Sequence, residues 1–279
     1  MPHPVMLAVV SDIHAGSTLA VCPPKITLDD GGTYNASKAQ QWLWECWTDY
    51  WAKVEARRKA LNAKLIVVFN GDAVEGAHHR STQILTENPN AQAHVWNEVI
   101  RVPLALKPAH IVVMRGTAAH VGESASAEER IADGLRRDKR PIVSDPATGA
   151  ASLWHWYADI HGCRIDVTHH GRIGQREHTR SSQLGLYAHD VHLSYTKRNE
   201  LPPHLAFRGH NHKFADSFDA CEPRVIATGA WQLGTGYVHK VAPDSIADIG
   251  GAITVINADG TYAVDKIQYQ AERGATWCP

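Results

Sequence analysis

The run Lys64-Leu-Ile-Val-Val-Phe-Asn-Gly-Asp72 limits this chain more than any other stretch. Its five apolar residues read as a strand buried on both faces, and Asn70 and Gly71 let the backbone turn sharply as it leaves the sheet. Asp72 is thereby expected at the strand's C-terminal rim, where open α/β sheets build their sites. Three other runs end alike: Leu7-Ala-Val-Val10 enters Ser11-Asp12-Ile13-His14, Ile111-Val-Val-Met114 enters Arg115-Gly116-Thr117-Ala118-Ala119-His120, and Arg164-Ile-Asp-Val-Thr168 enters His169-His170-Gly171. A fifth, Leu205-Ala-Phe-Arg208, enters Gly209-His210-Asn211-His212. Five apolar strands that each deliver Asp or His to one rim describe a metal site.

Histidine is abundant here, 18 of 279 residues, so any single His-x-His carries little weight. The order carries more: D-x-H, then G-D, then a Gly-led turn with His, then His-Gly, then G-H-x-H. That order resembles the calcineurin-like metallophosphoesterases of bacteria and their phages, over residues 7–212 and more loosely to about 235. The resemblance implies an α/β fold, a four-layer αββα sandwich of two mixed β-sheets flanked by helices. It also implies two divalent cations, with Asp12, His14, Asp72 and His212 holding the first, Asp72 bridging, and His169 and His210 holding the second. The third motif departs from the family pattern, G-N-H-D or G-N-H-E. Thr117 stands where Asn would ligate the second metal, and His120 is displaced by two residues. At the fourth motif His169 follows the strand most directly, whereas His170 precedes Gly as in the family's pair; His169 is preferred and His170 is next.

Length and composition bound the rest. A chain of 279 residues would ordinarily make about two domains, but ligands drawn from Asp12 through His212 must meet at one point. The expectation is one domain over 1–279, with an inserted loop-helix segment at about 15–62. A net charge of −1 gives no global footprint for a polyanion or a membrane. Five widely spaced cysteines without a C-x-x-C indicate reduced thiols rather than disulfides or a zinc knuckle. The first apolar run, residues 5–10, is too short for a signal-peptide core, and no run approaches the roughly 18 apolar residues of a membrane span. A cytoplasmic location is expected, and the oligomeric state is not written in the sequence.

Between the motifs, residues 15–36 carry Gly and Pro without periodicity and read as an irregular excursion beside the site. Residues 37–62 are helical, with Trp44, Trp47, Trp51, Val54 and Leu61 on one stripe; core packing is favoured over a base-stacking platform. After Asp72, the side chains of His78, His79 and Arg80 are candidates to meet a substrate phosphate. Residues 91–107 read as a helix broken at Pro103, and a further helix follows Gly122 with Ser124 or Ser126 as N-cap. Leu153-Trp-His-Trp-Tyr157 reads as a strand of the second sheet, and His161-Gly162 as a hairpin turn. Residues 172–198 form a basic run containing Arg172, Arg176, Arg180, Lys197 and Arg198, with a helix from Gln183 to Tyr195; this is the one candidate contact for a nucleic-acid backbone. Strands at residues 225–228 and 252–256 are expected to complete the second sheet, with a Gly-rich loop over the pocket between them.

Two cations about 3.5–4 Å apart lower the pKa of a bridging water and clamp phosphoryl oxygens for in-line attack. The reaction expected by resemblance is therefore phosphate-ester hydrolysis, with His120 protonating the leaving alkoxide. Mixed carboxylate and imidazole ligands suit manganese first, then iron, zinc, cobalt or nickel. A phosphodiesterase, with nucleic acid among its substrate classes, is preferred over a phosphomonoesterase or protein phosphatase. A metal-binding scaffold without catalysis is the reading from another class, and the altered third motif is its support.

Overall fold

A computed structural model describes residues 2–28, 30–78, 81–174, 176–218, 221–242 and 245–271. The chain runs β1 (Val5–Val10), β2 (Lys25–Thr27), β3 (Thr33–Asn35), α1 (Lys38–Leu61), β4 (Lys64–Asn70), α2 (Pro89–Ala105) and β5 (His110–Met114). It continues through α3 (Ala118–Val121), α4 (Ser126–Arg137), β6 (Trp156–Ile160), β7 (Cys163–Val167), α5 (Arg180–Lys197) and β8 (Leu205–Arg208). The last elements are β9 (Ala215–Asp216), β10 (Arg224–Ala227), α6 (Gly236–Val241), β11 (Ile249–Ile256) and β12 (Tyr262–Tyr269).

Two five-stranded sheets result, in the orders β12-β11-β1-β4-β5 and β6-β7-β8-β10-β9. In the first, β1, β4 and β5 are parallel, β11 is antiparallel to β1 and β12 is antiparallel to β11; in the second, β7, β8 and β10 are parallel and β6 and β9 antiparallel to their neighbours. The strand period of two explains the layering. Val5, Leu7 and Val9 of β1 face Ile165, Val167, Leu205 and Phe207 of the other sheet, whereas Met6, Ala8 and Val10 join a second core with α1, α2 and α4. On the far side, Leu184 and Ala188 of α5 cover Ala206, Val225 and Ala227. The layers are helix, sheet, sheet, helix, as expected.

Helix α1 begins at a capping box, Ser37 with Gln40, and ends at Asn62 in the left-handed conformation. Trp47 and Trp51 are core, fully buried, and Trp47 meets Trp231 edge-on at 4.6 Å, whereas Trp44 is half-buried against that core. Leu61, expected on the same stripe, is exposed. The two-residue turn between β6 and β7 is His161-Gly162, both at positive φ, as a type I′ hairpin requires.

Several expectations are corrected. Pro103 does not break α2, which runs on to Ala105. The Val99 carbonyl, deprived of a helical N–H by the proline, accepts the Trp47 indole N–H at 3.0 Å instead. The N-cap position of α4 is Ala125, not a serine, and it lacks a side-chain cap bond. The strand expected at 153–157 begins only at Trp156. Residues 252–256 belong to β11, which pairs antiparallel with β1 in the first sheet, not the second. Arg180 of the basic run is buried, 3.7 Å from Asp248, and is thereby removed from any surface contact.

Candidate metal centre

The five rim motifs converge. β1 and β4 pair in register from Val5–Lys64 to Val10–Phe69, so the turns that follow them lie side by side; Asp12 N–H donates to the Gly71 carbonyl at 3.1 Å and His14 N–H to that of Asp72 at 2.9 Å. Asp12, His14, Asp72, His210 and His212 all adopt positive φ, between 48° and 70°. Such backbone costs a non-glycine residue on the order of 1–3 kcal/mol and persists where its surroundings enforce it, most often at functional sites. Two glycines make the close approach feasible: a Cβ at Gly71 would enter the His169 ring, and one at Gly116 would enter the backbone nitrogen and carboxylate of Asp72.

Asp12 is fully buried, and its two oxygens have different environments. Oδ2 accepts from the Ser11 hydroxyl and from the His210 N–H at 3.0 Å. Among the described residues none donates a hydrogen bond to Oδ1. It faces three imidazole nitrogens: Nε2 of His212 at 3.3 Å, of His14 at 3.8 Å and of His169 at 4.0 Å. His14 Nε2 and His212 Nε2 are themselves 3.1 Å apart. Asp72 Oδ2 lies 3.1 Å from His169 Nε2, while Oδ1 accepts the Thr117 N–H at 2.6 Å. The ligand atoms of Asp12, His14 and His212 lie within 4.8 Å of one another, as do those of Asp12, Asp72 and His169 and those of His169, His170 and His210. A buried carboxylate oxygen without a donor, ringed by imidazole nitrogens, fits a cation, and the N/O donor set fits a first-row divalent metal.

Charge among these groups is balanced by protons. Burial disfavours the His14 imidazolium, but Asp12, Glu75 and Asp72 outweigh it and lift His14 to about 10; His169, opposed by burial and favoured by Asp72 and Asp12, rises to about 9. Burial raises the carboxylates and the imidazolium charges overcome it, so Asp12 and Asp72 are held well below the usual range. The second ring nitrogens are fixed by neighbours: His169 Nδ1–H donates to the Asn70 carbonyl at 2.6 Å, and His14 Nδ1 is 3.0 Å from Glu75 Oε2.

Glu75 is the residue that sequence reading missed. It is buried, accepts from Gln232 Nε2 at 2.7 Å, and lies 3.1 Å from His78 Nε2 through its other oxygen. Its place in a polar loop three residues after Asp72 was the only signal. Glu128 spans the Ala73 N–H at 3.3 Å and the Gly116 N–H at 2.7 Å and so ties the second and third motifs together. Burial and the Asp72 charge push its carboxyl up to about 8.

His120 lies in the site, its ring edge-on to His14 at 4.4 Å and to His78 at 4.2 Å. Nδ1–H donates to the Glu75 carbonyl at 2.8 Å, and burial together with the His14 charge lowers the ring to about 4. A cavity of about 720 Å³ opens from His14, Asp72 and His120 to Gln83, Tyr237 and Lys240. His78 lines it; His79 and Arg80, the other candidates for substrate contact, lie outside the described residues. The loop at 228–236 is divided: Trp231 is in the core, while Gln232 and Gly234–Gly236 border the cavity. Among the described residues no helix is long and apolar enough to cross a membrane.

No protein-family model matches the chain, and no curated protein matches it. Among solved structures, an archaeal phosphodiesterase is similar at 13% identity, covering 94% of this chain and 100% of that one with a TM-score of 0.40. A dimetal phosphatase from Danio rerio is similar at 11% identity, 95% and 99% coverage and a TM-score of 0.41. Vps29 complexed with zinc from Entamoeba histolytica is similar at 10% identity, 95% and 99% coverage and a TM-score of 0.38.

Proposed function

We propose that the chain is a phosphoesterase of the calcineurin-like metallophosphoesterase type, dependent on two divalent cations and acting on phosphodiesters. One observation carries the reading: the buried Asp12 Oδ1, without a hydrogen-bond donor, at the focus of His14, His169 and His212. Asp12, His14, Asp72 and His212 would hold one cation, and Asp72, His169 and His210 the other. Asp72 is suited to bridge because its carboxylate groups with His14, a ligand of the first cation, and with His169, a ligand of the second. When bound, such a pair supplies Lewis-acid stabilisation of the phosphoryl oxygens and acidifies water. Manganese is the first choice of metal.

The protein's own groups do the rest. Glu75 and the Asn70 carbonyl hold His14 and His169 with Nε2 toward the centre. His120 is the acid–base group. With Nδ1–H committed to the Glu75 carbonyl, Nε2 carries the lone pair, and it must take up a proton during the reaction before giving one to the leaving oxygen. Among the described residues lining the cavity, Lys240 is the one Lys or Arg, a wall better suited to the single charge of a diester than to a monoester dianion. Turnover of aryl phosphodiesters against aryl phosphomonoesters, after loading with manganese, tests the assignment. Faster diester hydrolysis is expected; a monoester preference overturns the substrate class, and no turnover with both metals bound favours a scaffold.

A further inference from the structure

The altered third motif leaves the second cation of the proposed centre without its usual amide ligand, and the structure offers a replacement. The Thr117 hydroxyl lies 3.1 Å from Asp72 Oδ2, 3.4 Å from His169 Nε2, 3.1 Å from His210 Nδ1 and 3.3 Å from His170 Nε2. One hydroxyl has a single hydrogen and two lone pairs, so it cannot satisfy three imidazole nitrogens and a carboxylate oxygen together. The three rings surround one locus, with centroids 4.9 Å apart for His169 and His170, 4.7 Å for His170 and His210, and 5.5 Å for His169 and His210.

Adjacent residues on an extended chain point to opposite sides, so His169 and His170 would not ordinarily share a locus. Here the chain turns. The Thr168 hydroxyl donates to the His170 carbonyl at 3.0 Å, and Gly171 follows, its α-carbon packed so tightly on Arg208 that a Cβ would collide with that side chain. Both rings are thereby brought to the same cluster, nearly perpendicular at 86°.

We propose that His170 is a ligand of the second cation, supplying with its imidazole the donor that the missing third-motif Asn would have supplied. His169 and His170 are then joint ligands rather than alternatives. The proposal rests on the two-metal reading above. It gives the second site three imidazoles and one carboxylate, a set richer in nitrogen donors than the first site, which keeps two carboxylates. The two sites should therefore differ in metal preference.

The test is zinc binding to the stripped full-length protein, by titration calorimetry and elemental analysis after desalting, in the parent, His170→Ala, Thr117→Asn and the double variant. His170 is exposed, so its truncation leaves the core intact. The expected result is two zinc ions per parent chain, with the second site weakened at least about 100-fold in His170→Ala, beyond the 10–100-fold that loss of an outer partner costs. Addition of Thr117→Asn should recover the second site. Two zinc ions bound by His170→Ala with unchanged affinities would overturn the proposal and leave the two-metal reading standing. Equal weakening of both sites without recovery by Thr117→Asn would mark a general disturbance and overturn it as well. A parent that binds fewer than two zinc ions would overturn the reading and the proposal together.

Discussion

Metal loading should release close to two protons per chain, because the metal-free site neutralises its buried carboxylates with protonated His14 and His169. At pH 7 the imidazoles, lifted to about 10 and about 9, each carry a proton on both nitrogens. Nδ1–H of His169 is committed to the Asn70 carbonyl, and Nδ1 of His14 faces Glu75, so the protons that leave are those on Nε2. Removing both at pH 7 costs on the order of 7 kcal/mol at 1.36 kcal/mol per pH unit, which the cations must supply. Each apparent affinity should therefore rise about tenfold per pH unit between pH 7 and 9. Titration calorimetry with zinc in two buffers of different ionisation enthalpy counts the protons. The folding linkage has a definite sign. Both folded-state values lie above the unfolded 6.5, so the stabilisation is complete below pH 6.5 and is lost as pH rises through 9 and 10. Stripped protein should lose thermal stability across that window. Affinities that stay flat from pH 7 to 9, with no dependence of the heat on buffer, would refute the proton balance.

Other outcomes follow from single contacts. Glu75→Gln weakens the carboxylate hold on His14 and should lower affinity at the first metal by about 10–100-fold, read by competition with a chelating dye. Gly116→Ala drives a methyl group into Asp72 and should cost about 1–3 kcal/mol in urea unfolding along with metal binding. Asp166→Ala leaves Arg208 buried without the carboxylate now 2.7 Å away and should cost about 3–5 kcal/mol, measured by the same unfolding assay on stripped protein.

The strands and the rim residues were legible because buried parallel strands are written as unbroken apolar runs, and polar residues directly after them have few places to go. Asp12, His14, Asp72, His169, His170, His210 and His212 all reach the cluster on that logic. Helix α1 was legible from its apolar stripe, of which Trp47, Trp51 and Val54 are buried. What local pattern could not reveal was partnership between distant segments. Which sheet accepts β11 depends on the edge beside β1, and Pro103 is tolerated because Trp47, 56 positions earlier in the chain, supplies the missing donor. Glu75 has the same explanation: a glutamate in a polar loop acquires meaning only when His14, His78 and Gln232 close around it. Arg180 looked like surface charge until Asp248, from the far end of the chain, drew near it.

The proposed centre holds two cations and uses His120 as its acid–base group. It is tested most directly by metal content per chain, measured together with hydrolysis of an aryl phosphodiester in added manganese, for the parent and His120→Ala. The account predicts two metals in both proteins and turnover in the parent, falling about 10²–10⁴-fold in the variant. One metal or none in the parent, with no turnover even in excess manganese, would contradict it.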